Sequence, residues 1–392
     1  MSTKVGPFKQ TPLYSVTPKQ DVFKTHEKSK IKRVSLNILS TVIFPIGLMR
    51  LTKYGLGKLA GKAILPSQVY SKEMLDKARQ EEINAVDKFA HVNYEKFQMT
   101  RSTIQTIDHV KLDTFEILHP LESKKDPKDQ KWIVFFPPNG MAYEQLIGLA
   151  TQLSIDIGAN FYLGNFRGVG YSEKSPSKSK DLIVDGETMV QYLLSEKKIP
   201  AENVMVHGWS LGGAVANEVA ALHQEKGHEM KLCNDRSFST LYKEIKALLP
   251  LGIGHVAAPL AYSLGWKFNP AKFWKSIAEE HKMLSFHRKD QVISYKKASL
   301  YKAVKEAKMT NADKKLKKER QKVKAKGTRP PKPSTHQQDY KPTHVVKHRL
   351  NVSNPHMHDL PDFGINYRSI ENSYETYLTH VKKLLKISQA SF

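Results

Sequence analysis

The residues with the clearest chemical meaning are Gly208-Trp209-Ser210-Leu211-Gly212. An apolar run, Val204-Met205-Val206, precedes them, and a helix-like stretch, Gly213 to Ala220, follows. A serine between glycines at this spacing, set at a strand–turn–helix junction, is arranged for nucleophilic attack. A hydroxyl is a weak nucleophile until a base takes its proton and the backbone presents it in the open. The turn does the presenting, because glycines at 208 and 212 let neighbouring chains approach without side-chain clash. The N–H groups that open the following helix, starting at Leu211, face any negative charge forming beside Ser210. The chemistry this points to is acyl transfer from an ester-like carbonyl.

Such a serine needs an acid and a histidine, and with this kind of turn they follow it in that order. Met283-Leu284-Ser285-Phe286 reads as a strand, and Asp290 lies just past its end. Asp290 is therefore the expected acid; its competing role is to cap a helix beginning near Val292. Asp235, past the strand Lys231-Leu232-Cys233-Asn234, is the alternative acid. A candidate last strand, Val345 to Val352, leads to two histidines, His356 and His358. A His-x-His pair can also bind metal, but no carboxylate or thiol cluster stands beside it at ligand spacing. No metal and no cofactor is expected. Lys131 to Phe136 reads as a buried strand ending in Pro137-Pro138-Asn139-Gly140-Met141. A loop in that place supplies the second oxyanion donor. The N–H of Met141 is the first choice and Gly140 the second, while Asn139 offers a side-chain donor. His207, His223 and His255 read as structural.

Asn160 to Gly164 is a further strand, followed by Asn165-Phe166-Arg167-Gly168-Val169-Gly170-Tyr171-Ser172. This loop resembles the D-x-R-G-x-G-x-S loop of α/β-hydrolases, with Asn165 replacing the leading Asp. Arg167 reads as a structural brace, and the change at Asn165 puts one bracing salt bridge in doubt. With the Ser210 turn, the chain resembles the α/β-hydrolase superfamily over roughly residues 97 to 388. More narrowly it is similar to the SidB-type lipase-like effector family of Legionella and to related chlamydial hydrolases. Asn139 to Glu144, Gly208 to Gly213, Asp235 to Leu241, Gly265 to Asn269 and Leu59 to Pro66 carry that likeness. The resemblance implies a Ser-Asp-His esterase or lipase, carried onto Ser210, Asp290 and His358. His358 is preferred over His356 because it sits two residues before Leu360-Pro361, an arrangement common among relatives. The resemblance also implies a bacterial protein delivered into a host cell.

The elements that must position these residues suggest an α/β fold. Short strands alternate with helical patterns, which indicates a mostly parallel central sheet with helices on both faces. Phe97 to Leu118 reads as an antiparallel hairpin turning near Asp108-His109, and Tyr143 to Leu153 and Asp185 to Leu194 read as helices. Residues 70 to 91 form a charged amphipathic helix, with Leu75, Ala78, Ile83, Val86 and Phe89 as contacts. Ile370, Tyr374, Tyr377, Leu378, Val381, Leu384 and Leu385 define a C-terminal helix. An apolar stretch at about 248–280 reads as a cap or lid over Ser210.

The chain divides into a basic polar tail (1–33), a hydrophobic membrane-associating segment (34–66), a helical linker (67–96) and a hydrolase domain (97–392). Val34 to Met49 is sixteen residues without a charge. As a helix it would extend ~24 Å at 1.5 Å per residue, short of a bilayer core of about 30 Å. With basic residues on both sides, it suits a segment that dips into one leaflet and returns. The formal charge is +24, and Lys305 to Lys332 holds twelve Lys/Arg against three Asp/Glu. That basic insertion, about 305–344, could meet an anionic membrane surface. Nucleic acid is not expected, since no aromatics interleave the charge. The single cysteine, Cys233, excludes an internal disulfide and fits a reducing cytosol.

The expected function is a membrane-associated serine hydrolase acting on a lipid or acyl ester. The alternatives are a non-catalytic membrane or interaction module on the same scaffold, or an acyltransferase or thioesterase using the same triad.

Overall fold

The computed structural model describes residues 44–93, 97–307, 344–348, 356 and 373–388. Its frame is a sheet of eight strands in the order β1-β2-β4-β3-β5-β6-β7-β8. The strands are β1 (Gln98–Gln105), β2 (Lys111–Leu118), β3 (Trp132–Phe136), β4 (Asn160–Gly164), β5 (Val204–Trp209), β6 (Lys231–Asp235), β7 (Lys282–His287) and β8 (Val345–His348). β1 and β2 pair antiparallel, as do β2 and β4; every later pairing is parallel.

Alternation along the strands sorts the core into two layers. Trp132, Val134 and Phe136 of β3 join Val204 and Val206 of β5 and Leu232 of β6 on one face. Ile133, Phe135, Met205 and Cys233 point to the other. Helices α4 (Ser179–Gln191) and α5 (Leu211–Gln224) cover the first face, with Leu182, Met189, Val215 and Val219 buried. Helices α3 (Ile147–Ile157) and α9 (Ser373–Leu385) cover the second, with Leu153, Tyr377 and Val381 buried. Both faces being covered is why the central strands read as unbroken apolar runs. Cys233 is buried, and burial pushes its thiol well above the usual range.

The chain runs β3 to β4 outward, then crosses back to build β5 beside β3. Loops after β3 and β5 therefore leave the same sheet edge in opposite directions and open a crevice between them. Ser210 and the Pro137–Met141 loop meet there.

Helix α1 (Phe44–Ile64) and α2 (Lys72–Asn93) precede the sheet. Leu75, Ile83 and Val86 of α2 are buried and Ala78 is half-buried. α1 lies on the body through small residues: Gly57 faces Ser177, Gly61 faces Pro176 and Trp266, and the Trp266 Nε1–H donates to the Gly57 carbonyl at 3.0 Å. Most of its large side chains point away, Met49, Leu51 and Leu59 being about two-thirds exposed. No helix among the described residues is long and apolar enough to cross a membrane. Residues 1–43 and most of the basic insertion, 308–343, lie outside the described residues. Beyond β6 come α6 (Leu241–Leu248) and α7 (Ile253–Leu264), which pack on each other, with α7 also against α1. The helix expected from Val292 is instead a run of turns, and α8 begins only at Leu300.

Candidate active site

Ser210 stands between the last residue of β5 and the first of α5, at φ 55° and ψ −113°. That backbone is strained for any residue but glycine. Two glycines force it. A Cβ on Gly208 would stand 2.1 Å from the Gly212 carbonyl oxygen, and one on Gly212 would stand 2.1 Å from the Phe136 carbonyl oxygen. The serine's main chain is tied on both sides: its N–H donates to the Asp235 carbonyl at 2.9 Å, and its carbonyl accepts the Ser237 hydroxyl at 2.6 Å. Only the Ser210 hydroxyl is left to engage a side chain.

That side chain is His356. Its Nε2 lies 3.1 Å from Ser210 Oγ, and its Nδ1 lies 2.9 Å from Asp290 Oδ2. An ionised carboxylate only accepts hydrogen bonds, so Nδ1 carries the proton and Nε2 accepts from the serine. Asp290 divides its two oxygens. Oδ1 accepts the N–H groups of Val292 and Ile293 at 2.9 and 2.7 Å, while Oδ2 takes the imidazole. One carboxylate thus holds the imidazole with one oxygen and ties the turn after it with the other, and no helix follows for it to cap. His356 is 2 % exposed and Asp290 8 %.

The imidazole beside Ser210 is therefore that of the alternative base. His358, the preferred base, lies outside the described residues. The alternative acid, Asp235, is otherwise engaged: Arg236 forms an ion pair with it at 2.7 Å, and the Ser285 hydroxyl donates to it. Arg236 also lies 4.5 Å over the Trp209 ring and donates to the His356 carbonyl at 3.2 Å. Asp235 and Arg236 thus brace the histidine's backbone.

The oxyanion donors divide as well. Leu211 is the first residue of α5, so its N–H has no intrahelical acceptor, and the residue lines the cavity beside Ser210. The Met141 N–H donates to the Pro138 carbonyl at 3.3 Å across a tight turn. Asn139, not Met141, lines the cavity with Ser210 and Leu211. The loop is held from outside, by Ser67 N–H donating to the Asn139 carbonyl at 3.2 Å and the Tyr70 hydroxyl donating to the Gly140 carbonyl at 2.9 Å. Sequence reasoning missed both braces, because nothing local links residue 70 to residue 140.

Arg167 is a brace. It pairs with Asp185 and with Asp108, each at 2.7 Å. Asn165 accepts the Tyr143 N–H at 2.9 Å and donates to Glu144 at 2.9 Å, so the missing loop carboxylate is replaced by acids from elsewhere in the chain. His207 is fully buried, its Nδ1 lies 3.3 Å from the Tyr377 hydroxyl, and burial holds its pKa down at about 4. His223 pairs with Glu187 at 3.0 Å, and His255 is exposed on α7. Among the described residues no His/Cys/Asp/Glu group could hold a metal ion.

A cavity of about 310 Å³ opens at Ser210. α6 contributes Leu241, Ile245 and Leu248, α7 contributes Ala261 and Leu264, and α1 contributes Ala60 and Ile64. Ala60, Ala63 and Ile64, from the C-terminal end of the segment expected to meet a membrane, thus form one wall of the cavity. Glu244, also in the wall, went unnoticed in the sequence. Its signal was a carboxylate three residues after Leu241 in an apolar helical stripe.

The strand order, the strained serine after β5 and the helices on both faces define an α/β-hydrolase fold. The chain belongs to the Chlamydia CHLPS protein (DUF818) family, whose sequence model matches residues 23–343. It is 26 % identical over 166 residues to a multifunctional-autoprocessing repeats-in-toxin protein of Vibrio cholerae, a match covering 42 % of this chain and 4 % of the toxin. It is 26 % identical over 152 residues to protein bem46 of Schizosaccharomyces pombe, covering 39 % of this chain and 48 % of that protein. The chain thus spans half or less of these curated relatives' lengths. Among solved structures, an α/β-hydrolase from Vibrio vulnificus is similar with a TM-score of 0.46 at 19 % identity, over 70 % of this chain and 83 % of that one. An esterase from Pyrobaculum calidifontis gives 0.42 at 13 %, over 82 % and 94 %.

Proposed function

We propose that this chain is a serine ester hydrolase acting on a lipid-like acyl ester at a membrane surface. The observation that carries the reading is the relay Ser210–His356–Asp290, with links of 3.1 and 2.9 Å, at the mouth of an apolar cavity. Ser210 Oγ attacks the ester carbonyl while His356 Nε2 takes its proton. Asp290 holds the imidazole in one tautomer and stabilises the imidazolium. The Leu211 N–H and a donor from Asn139 hold the oxyanion. The intermediate collapses as His356 returns the proton to the leaving alcohol. Water, deprotonated by the same Nε2, then releases the acid from Ser210.

Membrane association is supported by the surface around the cavity. Met49, Leu51 and Leu59 of α1, Leu251 just before α7, and Ile253 and Val256 on α7 are exposed. No carboxylate occurs in residues 44–64 or 249–267, while Arg50, Lys53, Lys58, Lys62 and Lys267 do. An apolar patch rimmed by cations suits an anionic leaflet. From the SidB-type resemblance the proposal also takes delivery into a host cell; a translocation reporter that gives no signal in host cytosol removes that part.

A fluorophosphonate probe is expected to label the wild type and not Ser210→Ala. On an ester panel that substitution should lower turnover on the order of a millionfold. Equal labelling and turnover of both proteins would overturn the reading.

A further inference from the structure

Helix α6 lays one face into the cavity at a spacing of three and four residues: Leu241, Glu244, Ile245 and Leu248. Three of the four are apolar. The fourth is a carboxyl group, 5 % exposed, and neither of its oxygens has a hydrogen-bond partner among the described residues. Among the described residues the rest of the lining is apolar apart from Asn139 and Ser210, and contains no cation. A buried polar group left unpaired costs about 1–3 kcal/mol, and packing alone would be served better by leucine. An acid in the first turn of a helix also favours its dipole, but a solvent-facing side chain would do that without desolvation. The group is therefore placed for something that enters the cavity.

We propose that Glu244 determines specificity: its carboxyl receives a neutral hydrogen-bonding group, a hydroxyl or a second ester carbonyl, carried partway along an otherwise apolar acyl chain. This rests on the hydrolase reading and names the substrate class within it. Burial, with the charge of Asp290 adding to it, pushes the Glu244 carboxyl up to about 8. Near neutral pH the group is mostly protonated, with one O–H to donate and a carbonyl oxygen to accept. That pair of functions matches a hydroxyl or a carbonyl. A cationic ligand is disfavoured, since Lys58 and Lys62 of α1, Lys246 of α6 and Lys267 lie on the elements around the cavity in a chain of net charge +24.

The test uses p-nitrophenyl esters of one chain length in three forms: plain, hydroxylated at successive carbons, and bearing an ammonium group. The full chain, Glu244→Leu and Glu244→Gln are compared by kcat/KM. Calorimetric Kd values for the same esters on Ser210→Ala, with and without Glu244→Leu, give a readout that needs no turnover. The wild type should favour one hydroxylated position over the plain chain by about 10-fold or more, since a site built for a polar group rejects an analogue lacking it. Glu244→Gln, which keeps a donor and an acceptor, should retain that preference, and Glu244→Leu should reverse it. A hydroxyl-to-plain ratio unchanged by Glu244→Leu at every position overturns the proposal, as does a preference for the ammonium ester. If no protein turns over any ester, the hydrolase reading fails. A Kd ratio that still depends on residue 244 would then support the binding role alone.

Discussion

At the scale of single residues, the relay depends on one imidazole chosen from two that stand two positions apart. His356 reaches Ser210 across 146 positions and Asp290 across 66. On the proposed mechanism, His356→Ala should cost nearly as much turnover as Ser210→Ala, because the two act as a unit. His358→Ala should stay within about tenfold of wild type, well below the loss expected of a triad member. Asp290→Asn leaves an amide where the imidazole needs an acceptor, so a fall of about 10⁴ in kcat is expected. Steady-state rates of the three variants check this. An inactive His358→Ala beside an active His356→Ala would reverse the assignment.

At the scale of elements, helix α1 forms part of the wall of the cavity at Ser210 as well as an exposed surface. α1 approaches the body only because Gly57 and Gly61 have no side chains. A Cβ at Gly61 would stand 2.6 Å from the Pro176 carbonyl oxygen and 2.9 Å from the Trp266 ring. Gly61→Val should push α1 outward and move the wall built by Ala60 and Ile64. Long-chain esters, which need that wall, should lose kcat/KM by about 10-fold more than acetate esters, in line with the cost of lost apolar burial. Equal losses on short and long esters would mean that α1 is not part of the acyl site.

At the scale of the whole molecule, charge and apolar surface act together. On the proposed reading the net charge of +24 would draw the chain to anionic surfaces over a Debye length, about 10 Å at 0.1 M salt. The exposed leucines would then insert. Flotation with vesicles containing phosphatidylserine should recover the protein, with recovery falling as salt rises. Leu59→Glu combined with Leu251→Glu should abolish recovery while the basic insertion is intact. Undiminished flotation of that double variant would assign binding to the charge alone.

Much of this was legible in the sequence because it is local. A strand, a tight turn and a helix stand consecutively around Ser210, so residue types at short spacing mark the nucleophile without any long-range knowledge. Asp290 was legible for the same reason, as an acid just past a strand end. The helix expected after it was not formed: Asp290 Oδ1 takes the N–H groups of residues 292 and 293, and Ser299 bridges to Phe238. Only the tertiary structure decided which histidine meets the serine, which loop residue faces the cavity and which face of α6 looks inward. Those outcomes depend on where segments over a hundred residues apart come to rest. Side-chain spacing along a chain fixes what neighbours can do together, but contacts between distant segments are set by how whole elements pack.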